Sequence, residues 1–206
     1  MRTKLIVFII VTGLGIIGAF GWMGYQLFRT GFSAKTEPHA LEVLLARQIR
    51  HLAIPIEKRN AQNPIPLSPD VIKESLAHFA DHCALCHAND GSGQTPIGKN
   101  VNPKAPDLRS SDTQSLSDGE IFWVIHNGIR FTAMPAWGEG DPAEDKGSWK
   151  LVHFIRHLPQ LTPEELDQMK TLNPKTKHDL KEETAFGQLL QGNDAAAART
   201  DRGHHH

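Results

Sequence analysis

Cys83-Ala84-Leu85-Cys86-His87 spells C-x-x-C-H, and it holds the only two cysteines among 206 residues. No thiol is left over for a disulfide framework or a four-thiol metal site. A bare C-x-x-C would also suit a redox-active pair or half of a zinc site. A thioredoxin-type pair follows a strand in a βαβ pattern, which this chain does not show. A zinc site needs two more spaced ligands; no second C-x-x-C follows, and His153 and His157, spaced H-x-x-x-H, lie among apolar helix neighbours and read as surface or packing residues. The remaining reading is covalent haem attachment. Two thiols add across the two vinyl groups of the macrocycle, and the next residue, His87, lies beneath the iron as proximal base.

Length leaves room for one modest domain with extensions. The net charge is −1 and the pI is near 6.9. With no long basic run, the chain has no general affinity for nucleic acid. Apolar residues concentrate at the N-terminus, where Leu5 to Phe28 is a run of 24 residues with no charged side chain. At about 1.5 Å per residue this crosses the ~30 Å hydrocarbon layer. Arg2 and Lys4 precede the run, and Trp22 and Tyr25 lie near its far end, where amphipathic rings favour the interface. A cleaved signal peptide would have a shorter apolar region and a small-x-small exit. Phe32-Ser33-Ala34 puts a bulky residue at that exit, so the segment reads as an uncleaved anchor. Gly15, Gly18, Gly21 and Gly24, with Thr12 and Ala19, offer a small-residue face to a partner transmembrane helix. Glycines are also simply common in such spans.

Four regions follow: 1–30, the transmembrane anchor; 31–67, an amphipathic helix and linker; 68–172, a compact domain; and 173–206, a tail of low hydrophobic content. The amphipathic helix is expected over 36–59, capped by Thr36, with Leu41, Leu44, Leu45, Gln48 and Leu52 on one face. It would lie on a membrane, dock on a partner or pack on its own domain. Prolines 64 and 66 mark the linker. Ser68-Pro69-Asp70 opens a helix that ends at Cys83. Ser117-x-x-Glu120 is a capping box for a second helix ending at Asn127-Gly128. Gly147–Leu158 forms a third, stopped by Pro159, and Thr162-Pro163-Glu164-Glu165 opens a fourth. The acidic pairs Asp118/Glu120 and Glu164/Glu165 read as helix N-terminal charges, not as catalytic dyads. His204 to His206 read as a terminal remnant before they read as a metal site.

A haem held by His87 has one further axial position. Met134, in Gly128-Ile129-Arg130-Phe131-Thr132-Ala133-Met134-Pro135-Ala136-Trp137, lies in a loop that Pro135 stiffens. His126, His153 and His157 are competing ligands, and a lone methionine is otherwise core packing. The order of elements over roughly half of the chain resembles a class I monohaem c-type cytochrome. That order is helix, C-x-x-C-H, Pro-containing loop, helix, Gly-x-x-x-x-x-Met-Pro loop and aromatic C-terminal helix.

The resemblance implies an all-α fold of helices and loops wrapped round one haem c, covalent through Cys83 and Cys86, with His87 and Met134 on the iron. It implies that the Pro106 carbonyl accepts the Nδ1–H of His87 and that Leu108 packs on the haem. It makes Arg130 and Trp137 candidates for haem-edge or propionate contacts. Phe79 is expected to meet Trp149 or Val152 at the helix crossing. The resemblance also places the domain on the periplasmic side of a bacterial cytoplasmic membrane. The implied activity is electron transfer between donor and acceptor proteins, in a respiratory chain or as a subunit of a membrane redox complex, without enzymatic catalysis by the chain itself. Two rivals stay open. One is a haem enzyme or small-molecule sensor with a displaceable sixth ligand, and the other is a mainly structural haem subunit.

Overall fold

The computed structural model describes residues 2–30, 33–38 and 40–175, with positions 181 and 184. The expected tail therefore lies almost wholly outside the described residues, as do His204 to His206. Every regular element among the described residues is helical.

Helix α1 (Arg2–Thr30) is one unbroken rod. Residues Arg2–Gln26 are long and apolar enough to cross a membrane. Its described large apolar side chains face outward, Leu5, Phe8, Ile17 and Phe20 among them. A Cβ added at Gly15, Gly18, Gly21 or Gly24 would meet nothing of this chain.

The helix expected over 36–59 is instead two pieces, α2 (Ala40–Ala53) and α3 (Ile56–Arg59). Pro55 separates them: it has no N–H to donate and disfavours helical geometry at the residue before it. The first helical residue is also three positions later than a Thr36 cap implies.

Helix α4 (Pro69–His78) starts as its sequence dictates, with Ser68 Oγ accepting from the Val71 N–H at 3.2 Å. It widens into a π-turn over Phe79–Cys83 and tightens again into α5 (Ala84–His87). After the single turn α6 (Ser111–Gln114), helix α7 (Asp118–Asn127) opens on the complete Ser117/Glu120 capping box. Helix α8 (Lys146–His157) takes Asp145 as its cap and gives way at Leu158–Gln160 to a 3₁₀ turn containing Pro159. Helix α9 (Pro163–Leu172) carries the second complete box, Thr162 with Glu165.

The core forms where α4 crosses α8, with α7 against one flank and α9 closing the other. Phe79 and Phe154 meet there with ring centroids 5.0 Å apart, both essentially inaccessible to water. Trp149, one of the expected partners of Phe79, lies flat on Phe122 of α7 instead, at 4.1 Å and 13°. Met169 of α9 is fully buried in the same cluster. Truncating a buried aromatic of this kind costs about 3–5 kcal/mol. This interior backs the α4–α5 junction, so the C-x-x-C-H turn sits directly on the packed core.

Candidate haem-binding site

The π-turn lets one continuous helical segment deliver both thiols and the imidazole. Ala80 and Ala84 face the core, while Cys83, Cys86 and His87 remain partly accessible and Leu85 points outward. Ala88 turns the chain directly after His87 at φ +62°. With ψ at 159°, a non-glycine residue there costs about 1–3 kcal/mol, which the surrounding contacts must hold. The His87 carbonyl accepts from Gly93 N–H at 2.8 Å and the Cys86 carbonyl from Thr95 Oγ1 at 3.2 Å, folding the next loop back on the motif.

Burial pushes the Cys83 thiol up to about 12, with the neighbouring Cys86 adding to the effect, and burial raises Cys86 as well. A thiol-exchange catalyst needs the opposite, a thiolate stabilised near neutral pH. Burial lowers the basicity of His87, and the Pro106 carbonyl partly restores it. The buried Nδ1 of His87 nevertheless completes no hydrogen bond of good geometry. The Pro106 carbonyl is near enough to the ring to act on it electrostatically without completing a hydrogen bond. Beside it, the Leu108 side chain is buried in the core and the Leu108 N–H donates to the Gly91 carbonyl at 2.8 Å. Gln114 ties this loop to α8, its Nε2 donating to the carbonyls of Leu108 (2.7 Å) and Ile155 (2.8 Å).

Met134 is half-buried in the loop after α7. Its N–H donates to Thr132 Oγ1 at 3.1 Å and its carbonyl accepts from Ile129 N–H at 3.1 Å. Gly128 makes this loop possible. It stands at φ +65°, and a Cβ there would come within 2.6 Å of the Pro135 carbonyl carbon. The far end of the loop is fastened to α7, where Trp137 N–H donates to the Ile125 carbonyl at 3.0 Å. The indole of Trp137 then meets the ring of His82 edge-on at 5.3 Å, next to Cys83. Arg130 is exposed, its guanidinium 6.0 Å from the centre of the Phe131 ring.

The three competing histidines are engaged elsewhere. His126 is buried, and its Nδ1 pairs with Asp145 Oδ2 at 2.7 Å. His153 Nε2 donates to the Ile65 carbonyl at 2.7 Å, and His157 meets the Glu165 carboxylate at 2.9 Å. Sequence alone does not reveal the roles of Asp145 and His82, because His126 lies 19 positions from the first and Trp137 lies 55 from the second, beyond any local periodicity; a histidine two residues from a turn is the one hint of the first.

The residues present suit a flat, mostly apolar group. Leu85, Ile97, Phe131 and Trp137, on the segments around the motif, are all exposed, Phe131 almost completely at 94 %. Two half-exposed thiols and an imidazole with an unsatisfied buried nitrogen stand among them. Among the described residues no group of three or more His, Cys, Asp or Glu side chains is arranged to hold a bare metal ion. An open groove between α4, α8 and α9 is lined by Leu67, Ile72, His153, His157 and Glu165 and includes none of the motif.

Residues 70–155 match the family model described as cytochrome c oxidase, cbb3-type, subunit III. The matched segment begins in α4 and ends in α8, so it contains the C-x-x-C-H turn, the Pro106 loop and the Met134 loop.

Proposed function

From a chain whose residues 70–155 carry a c-type cytochrome domain, we propose a membrane-anchored electron-transfer protein with one haem c, covalent through Cys83 and Cys86 and ligated by His87 and Met134. The observation that carries this is the C-x-x-C-H turn, set at the end of a core-packed helical segment within residues 70–155. The bound haem supplies a ferric/ferrous couple that passes one electron at a time.

The chain's own residues do the positioning. His87 presents its Nε2 while Pro106 stands by the ring as the acceptor that would set its tautomer, the kind of second contact that makes an imidazole a stronger ligand. Met134 offers its thioether from a loop fixed at both ends, by Gly128 and by the Trp137 N–H. The engagement of His126, His153 and His157 favours this thioether over an imidazole as second ligand. Leu85, Ile97, Phe131 and Trp137 would cover apolar haem surface and exclude water, which together with the ligand set tunes the potential. No group needs to move a proton, which suits a carrier better than an enzyme.

On this reading the haem domain spans 68–172, the anchor 1–30 and the amphipathic and linker segment 31–67. The domain faces the periplasm of a bacterial cytoplasmic membrane and exchanges electrons with donor and acceptor proteins of a respiratory chain or within a membrane redox complex. Intact-mass measurement of the chain expressed with haem-attachment machinery tests the covalent link. One haem per wild-type chain, and loss of stable double attachment in Cys83→Ser and Cys86→Ser, is the expected result. A wild-type chain of unmodified mass would overturn the reading.

A further inference from the structure

Helix α2 has two unlike sides. Towards the haem domain, Arg47 pairs with Asp112 of α6, and His51 Nδ1 meets Glu120 Oε1 of α7 at 2.6 Å. Arg59 of α3 bonds the other nitrogen of His51 at 2.6 Å, and Ser117 Oγ donates to the Arg59 carbonyl. Arg59 has only protons to give, so Nε2 of His51 accepts and its Nδ1–H points at Glu120. Ile54, at the α2–α3 break, is buried on this side. Glu37, just before α2, pairs with Lys104. Single exposed ion pairs contribute little, but four separate ties over one segment define an orientation.

The other side of α2 is a stripe of Leu41, Leu44, Leu45, Ile49 and Leu52, each more than half exposed, and Ile56 of α3 continues it. At 100° per residue these positions fall on one face, and Val43, Arg47, Arg50 and Ile54 fall on the opposite one. No residue of α2 itself is buried. A 14-residue apolar-faced helix is too short to span a bilayer and has the length of an interfacial one. Ten peptide steps separate Thr30, the last residue of α1, from Ala40, the first of α2, a reach of at most about 35 Å. Arg29 and Lys35 bracket that junction with positive charge.

We propose that the Leu41–Leu52 face of α2 lies in the headgroup region of the membrane that α1 crosses. The haem domain, tied to the opposite face, is then held against the membrane in one orientation instead of swinging on a tether. Its occupant is lipid, because the helix starts within reach of the bilayer exit and its other face is already taken by its own domain. The proposal rests on α1 being the anchor.

The test uses the full chain in vesicles of phosphatidylcholine and phosphatidylglycerol. Leu45→Cys and Ile49→Cys probe the stripe, and Ala46→Cys, exposed but turned away from it, is the reference. Labelling by a charged maleimide is measured after subtracting the parent protein's own labelling, with an unchanged visible spectrum as the check on folding. The expected result is labelling about tenfold slower at 45 and 49 than at 46. Equal rates on protein that floats with the vesicles would overturn the proposal while leaving the anchor intact. So would protection that is absent in vesicles and present only in native membranes, which would assign the face to a protein partner. Failure to float would overturn the anchor reading and the proposal with it.

Discussion

Trp137 stands edge-on to His82 with ring centroids 5.3 Å apart, joining the loop that carries Met134 to the turn that carries Cys83. His82 in turn meets His78 edge-on at 5.0 Å, so a short aromatic row runs along α4 into the site. The two loops of the site are otherwise built on different elements, one on α4–α5 and the other on α7.

An edge-to-face aromatic pair contributes about 0.5–1.5 kcal/mol beyond area burial. Trp137→Ala is therefore expected to loosen the Met134 loop with little loss of global stability. The measurement is the thermal midpoint of the thioether-to-ferric-iron band beside that of helical circular dichroism. In the variant the band should disappear at a lower temperature than the helices melt. Parallel shifts of both would mean that the contact stabilises the fold and does not position the loop.

The His126–Asp145 pair is the most buried ion pair among the described residues. Asp145 also caps α8, its Oδ1 accepting from Ser148 N–H at 2.9 Å. Removing one partner of a buried, charge-assisted bond costs about 1.5–3 kcal/mol. His126→Ala and Asp145→Ala should each lower the denaturation midpoint, and the double variant should lose less than the sum. The visible spectrum of folded His126→Ala should stay that of the parent. A changed iron spectrum at full stability would instead promote His126 to ligand.

Acid sensitivity follows from three carboxylates. Burial works to raise Asp145, Glu120 and Glu165, and their hydrogen bonds and histidine partners outweigh it, so all three lie below their ordinary values of 3.8, 4.5 and 4.5. The folded chain then binds fewer protons than the unfolded chain between the depressed and ordinary values. Their contribution is complete above pH 4.5 and is lost as the pH falls through the folded values. Denaturant titrations at stepped pH should show stability declining from there downward. Glu120→Gln should flatten part of the decline, and a wild-type profile flat to the lowest pH would contradict the assignment.

What the sequence revealed was local. Ser68, Ser117 and Thr162 announce three helix starts because a cap and its partner lie three residues apart, and the C-x-x-C-H turn is five residues long. The break between α2 and α3 is also within reach, since Pro55 stands inside the expected helix, four residues before its end, but an apolar stripe that runs past it conceals the interruption. Pairings across the fold were not legible. Phe79 meets Phe154, and Trp149 lies on Phe122, because α4 and α7 each pack on α8 at angles that no single-helix periodicity encodes. Likewise the attachment of α3 to Ser117 runs through a backbone carbonyl, which carries no residue identity to read.

The most direct test of the central claim is the oxidised and reduced visible spectrum of detergent-purified wild-type protein beside Met134→Ala. The account predicts covalent haem in both, a thioether-to-ferric-iron band in the wild type alone, and a lower reduction potential with ready carbon monoxide binding in the variant. A Met134→Ala spectrum and potential identical to wild type would contradict it, removing Met134 from the iron.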